Sequence, residues 1–347
     1  MKVAIIIVTY NGREYLPELF KNLFSQSYPQ EKFFIIVVDN GSSDETARYI
    51  KESFPEAELI QNRYNVGFAE GNNIGVRVAI KNGADYVVFL NQDTIVASNW
   101  LEELVKVAES DKTVGMVQSK ILLWTEKDKI NSLGNHIHFL GFAFCGGYKE
   151  QDKAIEGTPE ITYASGAAML VKIEVLEKVG LFDKDLFLYH EDVDLGWRTR
   201  LMGYRIVLAP KSIVYHKYEF ARSVEKYYWM ERNRFVVMLK NYKWSTLLFM
   251  SLPLAFMEAG LLFYSLFSGE FLQKLKGYFY FLNLFNLYKI FKKREKIQKN
   301  RKIKDKDIIK FFVGKIEFQE IENPILKHII NPLFNFYWLI AKRLIVW

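Results

Sequence analysis

Three carboxylates lie within four positions of the chain, at Glu191, Asp192 and Asp194. They follow an apolar run, Leu186 to Tyr189, and stand at the predicted start of a helix. A helix N-terminus stabilises negative charge through its free N–H groups and dipole, so acidic residues there can be purely structural. Three further polar clusters also follow strand-like apolar runs. Four polar sites at strand ends favour one shared pocket, and Asp192 is the residue expected to carry its chemistry.

The first of these clusters begins at Asp39, which ends a predicted strand and precedes Asn40-Gly41-Ser42-Ser43-Asp44. A carboxylate in this place could accept a hydrogen bond from a nucleobase N–H. Alternatively, Asn-Gly forms a turn and Ser43 or Asp44 caps the following helix. The residues leave both interpretations open for Asp39, whereas Asp44 is predicted to be a cap.

The other two clusters contain residue types that bind divalent cations. Asp93 closes the triplet Asn91-Gln92-Asp93 after the predicted strand Tyr86 to Leu90, and His216 follows the predicted strand Ser212 to Tyr215. Carboxylate oxygens suit Mg²⁺ or Mn²⁺, and an added imidazole ligand would favour Mn²⁺. An Asx turn at Asp93 and a hydrogen-bonded structural histidine at position 216 are the alternatives.

Alternating strand and helix patterns through the first 120 residues would position these clusters. Strands are predicted at Val3–Val8, Phe33–Val38, Leu59–Gln61 and Tyr86–Leu90, and helices at Glu14–Ser25, Asp44–Ser53, Ala69–Asn82 and Trp100–Ser110. This alternation predicts an α/β domain with a parallel sheet and helices on both faces. In such sheets ligands bind at the carboxyl ends of the strands.

The middle of the chain has weaker periodicity. Residues 111 to 165 contain several glycines and are predicted to be irregular, with short strands. Ser165 to Val171 reads as a buried strand, and Arg205 to Leu208 and Ser212 to Tyr215 as two further strands.

The composition limits the class of protein. The chain has 347 residues, of which 50% are hydrophobic and 16% aromatic, so a sizeable core and more than one domain are expected. Its single cysteine, Cys145, excludes an intrachain disulfide and fits a reducing compartment. The apolar start, Val3 to Val8, lacks a small-residue cleavage site and is interpreted as a strand rather than a signal peptide.

The C-terminal part is apolar and basic, and it contributes most of the excess positive charge in a chain whose net charge is +7. Ser245 to Phe267 is an apolar run broken by Pro253 and Glu258, and a second run covers Tyr278 to Phe291. The first run is long enough to span a bilayer, but Glu258 would be costly in lipid. We expect one α/β domain at residues 1–240 and a helical region at 241–347 that lies in the membrane interface. A packed helical core or a dimer interface is the alternative.

The ordered set of motifs resembles family 2 glycosyltransferases with the GT-A fold. The matching segments are Val8-Thr9-Tyr10-Asn11, Val38 to Asp44, Asn65 to Asn73, Leu90-Asn91-Gln92-Asp93, Ser165 to Leu170, Glu191 to Leu195 and Tyr215-His216. Within this family, the motifs of the chain resemble those of rhamnosyltransferase-like members that build bacterial surface polysaccharides. The resemblance implies a Rossmann-like, mostly parallel sheet with helices on both faces, followed by the helical apolar and basic C-terminal region.

The resemblance also implies a role for each matching residue. Asp192 would be the general base with Glu191 as its acidic neighbour, and Asp93 and His216 would hold Mg²⁺ or Mn²⁺. The nucleotide-sugar site would be formed by Thr9, Tyr10, Asn11, Asp39, Gly67, Asn73, Asn91 and Gln92.

The implied reaction is the inverting transfer of one sugar from a nucleotide-diphosphate donor, with dTDP-rhamnose as the best guess, to a glycan or polyprenyl-linked acceptor. Processive members carry Gln-x-x-Arg-Trp, and this chain has Trp229-Met230-Glu231-Arg232-Asn233 instead. The expected place is the cytoplasmic face of the cell membrane. A catalytically silent scaffold of the same fold is the alternative, and binding to nucleic acid is not expected because the basic charge lies beside long apolar runs.

Overall fold

The computed structural model describes residues 1–217, 224–317 and 323–347. These residues form two compact units that alternate along the chain. The first unit holds residues 1–135, 145–187 and 204–217, and the second holds 136–144, 188–203 and the described residues from 224 onward. The sequence places a single boundary at residue 240, at the end of a helix that belongs to the second unit.

The first unit is built on a nine-stranded sheet with the order β3-β2-β1-β4-β10-β6-β11-β5, and β7 pairs with β6. A separate two-stranded ribbon joins β8 and β9. The strands are β1 (Val3–Thr9), β2 (Phe33–Asp39), β3 (Glu58–Gln61), β4 (Tyr86–Leu90), β5 (Thr94–Val96), β6 (Val114–Leu123), β7 (Ile130–Ser132), β8 (Asn135–Ile137), β9 (Ala143–Cys145), β10 (Ala168–Lys172) and β11 (Arg205–His216).

Five helices of the first unit lie between or after these strands. They are α1 (Leu16–Leu23), α2 (Thr46–Ser53), α3 (Gly67–Lys81), α4 (Trp100–Ser110) and α5 (Ile173–Val179). The predicted alternation of the first 120 residues is therefore confirmed, with helix ends that differ by a few residues. Strand β1 is parallel to β2 and β4, and β2 is parallel to β3. Residues Val3 to Ile7 are fully buried, as expected for a strand covered on both faces.

The sheet becomes mixed beyond β4. Strand β10 runs antiparallel to both β4 and β6, and β11 is parallel to β6 but antiparallel to β5. Ten-residue β6 lies inside the segment that was predicted to be irregular. Its polar residues Gln118, Ser119 and Lys120 are consecutive and all buried. The strand therefore lacks the alternation of apolar and polar residues that marks a half-buried strand in a sequence. Strand β11 is one element where two were predicted, with a register shift between Ala209 and Ile213.

The second unit is helical in its described C-terminal part, as predicted. Its helices are α6 (Glu191–Leu201), α7 (Val224–Asn241), α8 (Trp244–Ser268), α9 (Phe271–Leu282), α10 (Leu284–Asn300), α11 (Asp305–Ile308) and α12 (Asn331–Leu344). Aromatic rings form much of the core, with Phe139 stacked on Trp338 at 4.9 Å and Trp197 edge-on to Tyr242 at 4.6 Å. The second apolar run is divided between α9 and α10 at Asn283, whose side chain caps α10.

The segment before α6 differs from the sequence-based expectation, because Leu186 to Tyr189 is not a strand. A 3₁₀ turn covers Lys184–Leu186, and Phe187, Tyr189 and His190 all have φ angles between 64° and 66°. Such left-handed residues turn the backbone sharply and cannot continue a strand. Three of the four polar clusters therefore follow strands, and the acidic cluster follows a tight turn.

Candidate functional site

The carboxyl ends of three parallel strands meet in the first unit. Thr9 is the last residue of β1 and pairs in register with Asp39, the last residue of β2. Asn91 to Asp93 follow β4, which lies on the other side of β1. The carboxyl ends of the strands thus bring together three of the four predicted polar clusters. These are the cluster at Asp39, the triplet Asn91 to Asp93 and His216 at the end of β11.

Gln92 connects the loop after β4 to the end of β1. Its Oε1 accepts hydrogen bonds from the Thr9 hydroxyl at 2.6 Å and from the Tyr10 backbone N–H at 3.1 Å. The Thr9 side chain is fully buried, whereas Tyr10 is 48% exposed. Gln92 therefore orders the backbone that presents the exposed Tyr10 ring.

Asn11 continues this loop in a left-handed conformation, with φ of 49°. Its backbone N–H donates to the Ser42 hydroxyl at 2.9 Å, and its Oδ1 accepts from the Ser43 N–H at 2.8 Å. The loop after β1 is thereby joined to the loop after β2. A cavity of about 520 Å³ borders this junction, and Asn11, Arg13, Asp44 and Tyr49 are among its lining residues.

Asp39 makes contacts within the turn that follows β2. Its carboxylate accepts hydrogen bonds from both the hydroxyl and the backbone N–H of Ser42. It is 2% exposed. The Asp39 carboxylate therefore orders the loop that follows β2.

Gly67 and Asn73 belong to α3 and have structural contacts. Gly67 has φ of 85°, and its carbonyl accepts from the Asn40 side chain at 3.1 Å. The Asn73 amide is engaged on both sides by Phe182: it donates to the Phe182 carbonyl and accepts from the Phe182 N–H, each at 3.0 Å. These contacts position α3.

Asp93 and His216 form a pair at the ends of β4 and β11. His216 Nε2 lies 3.3 Å from Asp93 Oδ1, and the two side chains are 8% and 28% exposed. Burial alone would raise the pKa of Asp93, but His216 and Lys217 together hold it below its usual range. Asp93 is therefore an ionised carboxylate at neutral pH.

Two residues that the sequence did not single out surround this pair. The side chain of Asn131, on β7, lies 3.1 Å from His216 Nδ1 through its Oδ1. Lys217 donates its backbone N–H to the Asp93 carbonyl at 2.9 Å, and its ammonium lies 3.0 Å from Glu18. Neither residue belongs to a recognisable motif: the pairing of β7 with β6 brings Asn131 to the site, and Lys217 directly follows His216 in the chain.

The residues at this pair fit a divalent metal ion. An ionised carboxylate oxygen and an imidazole nitrogen are both suitable ligands for Mn²⁺. Contact of the second ring nitrogen with an amide oxygen is typical of metal-binding histidines. The described parts of the chain contain no group of three or more His, Cys, Asp or Glu residues arranged to hold a metal. A metal at Asp93 and His216 would thus take its other ligands from substrate phosphates or water.

The acidic cluster lies in the second unit, at the N-terminus of α6. Asp192 is half-buried, and its Oδ1 accepts from the Val193 N–H at 2.7 Å. Glu191 is 6% exposed, and its Oε2 is buried without a hydrogen-bond partner. Burial, followed by repulsion from Asp192, raises the pKa of Glu191 well above its usual value. The two neighbouring acids therefore differ in environment, and Asp192 is the one accessible to solvent.

The turn that precedes these acids is held by α7. The Asn233 side-chain amide donates to the carbonyls of Leu188 and Tyr189, at 2.9 and 2.7 Å. Asp194, the third acid, has a structural position: it is fully buried and pairs with Arg198 and Lys240 at 2.8 Å each. Asn233 was missed as a positioning residue because the groups that it holds in the turn are backbone carbonyls, which no residue type in the sequence reveals.

Comparison with known proteins identifies the family. Residues 4–180 match the sequence model described as "Glycosyl transferase family 2". Poly-beta-1,6-N-acetyl-D-glucosamine synthase of Staphylococcus aureus is 29% identical over 216 residues, which cover 61% of this chain and 48% of that protein. The enzyme of the same name from Staphylococcus epidermidis is 25% identical over 213 residues, with the same coverage. The chain thus spans about half the length of the curated relatives it matches.

Solved structures support the fold. GalNAc-T7 with UDP, GalNAc and Mn²⁺ has a TM-score of 0.56 at 17% identity, covering 69% of this chain and 48% of that chain. S. aureus TarS 1–349 with UDP has a TM-score of 0.51 at 20% identity and covers 70% and 66%. The mannosyltransferase PcManGT from Pyrobaculum calidifontis, with GDP-Man and Mn²⁺, has a TM-score of 0.52 at 19% identity and covers 81% and 87%. The predicted GT-A-like α/β architecture with a helical C-terminal region is confirmed.

Proposed function

The chain belongs to glycosyl transferase family 2, and we propose that it transfers a single sugar from a nucleotide-diphosphate donor to an acceptor hydroxyl, with inversion at the anomeric carbon. The observation that carries the proposal is the Asp93–His216 pair. The pair lies at the carboxyl ends of the strands. At the same place Gln92, next to Asp93, is hydrogen-bonded to Thr9 at the end of β1. This is where open α/β sheets bind their ligands.

The donor is a nucleotide sugar in this proposal, and the structurally similar proteins were solved with UDP or GDP-Man. Tyr10 and Asp39 would bind the nucleoside, Tyr10 through its exposed ring and Asp39 through a carboxylate oxygen. The loops ordered by Asn11 and Gln92 would shape the same site. We propose dTDP-rhamnose as the first donor to test, because the motifs resemble rhamnosyltransferase-like members, followed by UDP- and GDP-sugars.

Asp93 and His216 would hold Mg²⁺ or Mn²⁺ next to the donor diphosphate. When bound, the ion would neutralise the charge that develops on the leaving diphosphate. Asn131 would hold the His216 ring in place through its contact with Nδ1. Lys217, which lies beside Asp93, would add a second positive charge to the same region.

Asp192 would act as the general base. Its carboxylate would accept the proton of the acceptor hydroxyl while that oxygen forms a bond to the anomeric carbon and the bond to the diphosphate breaks. A single displacement of this kind inverts the anomeric configuration. A positioned base contributes about 10²–10⁴-fold to the rate. Glu191 is buried and Asp194 is buried in ion pairs with Arg198 and Lys240, so Asp192 is the acid of this helix end that an acceptor hydroxyl could reach, which favours its role as proton acceptor.

Transfer of a single sugar, rather than processive synthesis, is supported by the segment Trp229 to Asn233. Asn233 takes the position of the Trp in the motif of processive members. Its amide binds the two carbonyls of the turn before Asp192. In this proposal the segment serves to position the base and not to hold a growing polymer.

The acceptor would be a glycan or a polyprenyl-linked saccharide at the cytoplasmic face of the cell membrane. The apolar exposed residues of α8 and α12 and the basic residues of α10 support association with a membrane surface. The alternative of a silent scaffold is not favoured, since Asp93, His216 and Asp192 are all present.

The test is a donor screen with purified protein in detergent and Mn²⁺ or Mg²⁺. Released nucleoside diphosphate is measured for a panel of nucleotide sugars, with Asp192→Asn as the matched variant. We expect metal-dependent release from one donor, its loss in the variant, and unchanged nucleotide affinity in calorimetry. Equal loss of nucleotide binding in the variant would contradict the base assignment, and metal-independent release would contradict the metal site.

A further inference from the structure

Helix α8 combines the hydropathy of a membrane span with a charged residue at its middle. Among the described residues it is the one helix long and apolar enough to cross a bilayer, with a mean hydropathy of 1.8 in its most apolar window. Glu258 nevertheless faces cations on two other helices of the second unit. Its carboxylate pairs with Arg234 of α7 and lies 2.8 Å from the Lys274 ammonium of α9. The Tyr278 hydroxyl donates to it at 2.8 Å.

The cations in this cluster cannot turn to water. Arg234 is fully buried and Lys274 is 1% exposed. Both also pair with Glu231, and Arg234 donates to the Leu140 carbonyl at 3.1 Å. Moving Glu258 away would leave two buried cations with one carboxylate, and uncompensated buried charge is strongly unfavourable. The side of α8 that carries Glu258 therefore stays packed against α7 and α9.

The opposite side of α8 is apolar and uncovered. Exposed residues recur at helical spacing, and their exposed fractions lie between 56% and 78%: Leu248, Leu252, Phe256, Phe263 and Phe267. This face continues onto α12, which packs against α8 through the hydrogen bond from the Tyr337 hydroxyl to the Phe249 carbonyl. The exposed residues of α12 are again spaced by three or four: Leu333, Phe336, Ile340 and Leu344.

Charge identifies the occupant of this face. Helix α10 begins with exposed apolar residues, Leu284, Phe285 and Tyr288, and continues with exposed lysines, Lys292, Lys296 and Lys299. Apolar residues followed by lysines suit the boundary between the acyl chains and the head groups of anionic lipids.

We propose that α8 lies within one leaflet of an anionic bilayer, with its exposed face in lipid, and that the cluster Glu231–Arg234–Glu258–Lys274 prevents it from crossing. This rests on the proposed membrane association and specifies its topology. The catalytic part of the chain would then remain on one side of the membrane together with both ends of α8.

The experiment uses the full chain bound to vesicles of equal parts phosphatidylethanolamine and phosphatidylglycerol. Cys145, the single cysteine, is replaced by serine, and Ser245→Cys or Ser268→Cys places a reporter at either end of α8. Flotation measures binding, and a membrane-impermeant maleimide added outside measures access. We expect flotation and equal labelling of both reporters without detergent.

Flotation with only one reporter labelled until detergent is added would overturn the topology and leave membrane association standing. Absence of flotation would overturn both, and a dimer in light scattering would then identify a second copy as the occupant. Donor turnover in detergent reports separately on the proposed reaction.

A charge variant tests the cluster. We expect Glu258→Gln to lower the melting temperature and to reduce labelling of the Ser268→Cys reporter, because part of the population can now insert more deeply. Glu295→Gln, an exposed glutamate on α10, is the matched control. If the two variants behave alike in both measurements, the cluster does not hold α8 and the proposal is wrong.

Discussion

Glu191 is an acid whose protonation is altered by the fold. It is buried with an unpaired oxygen next to Asp192, and its pKa is raised well above the ordinary value of 4.5. The folded state therefore keeps this proton at pH values where the unfolded chain loses it. Stability contributed by the neutral acid is complete below pH 4.5 and is lost as the pH rises through the folded-state pKa.

This predicts that Glu191→Gln raises thermal stability at pH 8 and leaves it unchanged near pH 4. The amide imitates the protonated acid, so the variant removes a pH-dependent penalty of about 1 kcal/mol or more, which corresponds to a shift of roughly 2–4 °C. Scanning calorimetry at both pH values measures it. Glu174→Gln, at an exposed site on α5, should show neither effect. A variant equally destabilised at both pH values would show that Glu191 is ionised in the fold.

At the residue scale, the residues that we propose as ligands were easier to identify from the sequence than the residues that hold them in place. Asp39, Asp93 and His216 were identifiable because each ends a strand or directly follows one. Asn131 and Asn233 were not, because Asn131 reaches His216 through strand pairing and the Asn233 amide N–H groups bind backbone carbonyls of the turn before α6. Asn73 matched a motif, yet its amide is bonded to Phe182.

At the scale of elements, the start of α3 depends on one glycine. Gly67 has φ of 85°, and a Cβ atom there would lie 2.5 Å from the Phe187 ring and 2.7 Å from its carbonyl oxygen. Gly83, after the same helix, has φ of 72° but no atom within 4 Å of such a Cβ. A side chain at either position would be strained by the positive φ angle, but only a side chain at Gly67 would also clash with neighbouring atoms.

We predict that Gly67→Ala destabilises the protein by about 2–4 kcal/mol and Gly83→Ala by about 1 kcal/mol. Both carry the left-handed penalty of roughly 1–2 kcal/mol per residue, and only the first adds a steric clash. Urea unfolding of the two variants provides the comparison. Equal losses would mean that the Phe187 turn moves freely away from α3.

The elements themselves were predictable where hydrophobic runs were uninterrupted. Strands β1, β2 and β4 and helix α4 lie within a residue of their predicted places because their residues are uniformly buried or clearly periodic. Strand β6 was missed because Lys120 interrupts it, and in the fold that lysine pairs with Asp152 at 2.9 Å. The turn before α6 was missed because consecutive left-handed residues without glycine are rare in any sequence.

For the molecule as a whole, apolar and basic surfaces should contribute differently to membrane binding. Raising the salt concentration shortens the screening length from about 10 Å at 0.1 M to about 3 Å at 1 M. We predict that vesicle flotation falls with salt but is not abolished, since burial of the exposed side chains of α8 does not depend on ionic strength. Lys296→Glu should weaken binding at low salt, and Lys106→Glu, on α4, should not.

Complete release by salt would mean that the apolar face is not inserted, and no response to salt would mean that α10 is away from lipid. The apolar and basic composition of the C-terminal region was evident from the sequence, but which residues of each helix are exposed was not. Glu258 looked like an obstacle to membrane contact, and its partners on α7 and α9 show that it serves the opposite side of the helix.

The order of strands also has a consequence for biosynthesis. Strand β11 lies between β6 and β5 in the sheet, although about 80 residues separate it from β6 along the chain. While the ribosome is still upstream of residue 205, β5 and β6 have no strand between them and expose unpaired backbone edges. Such edges invite association with other nascent chains. Completion of the sheet, and with it the meeting of His216 and Asp93, therefore has to wait until β11 leaves the exit tunnel.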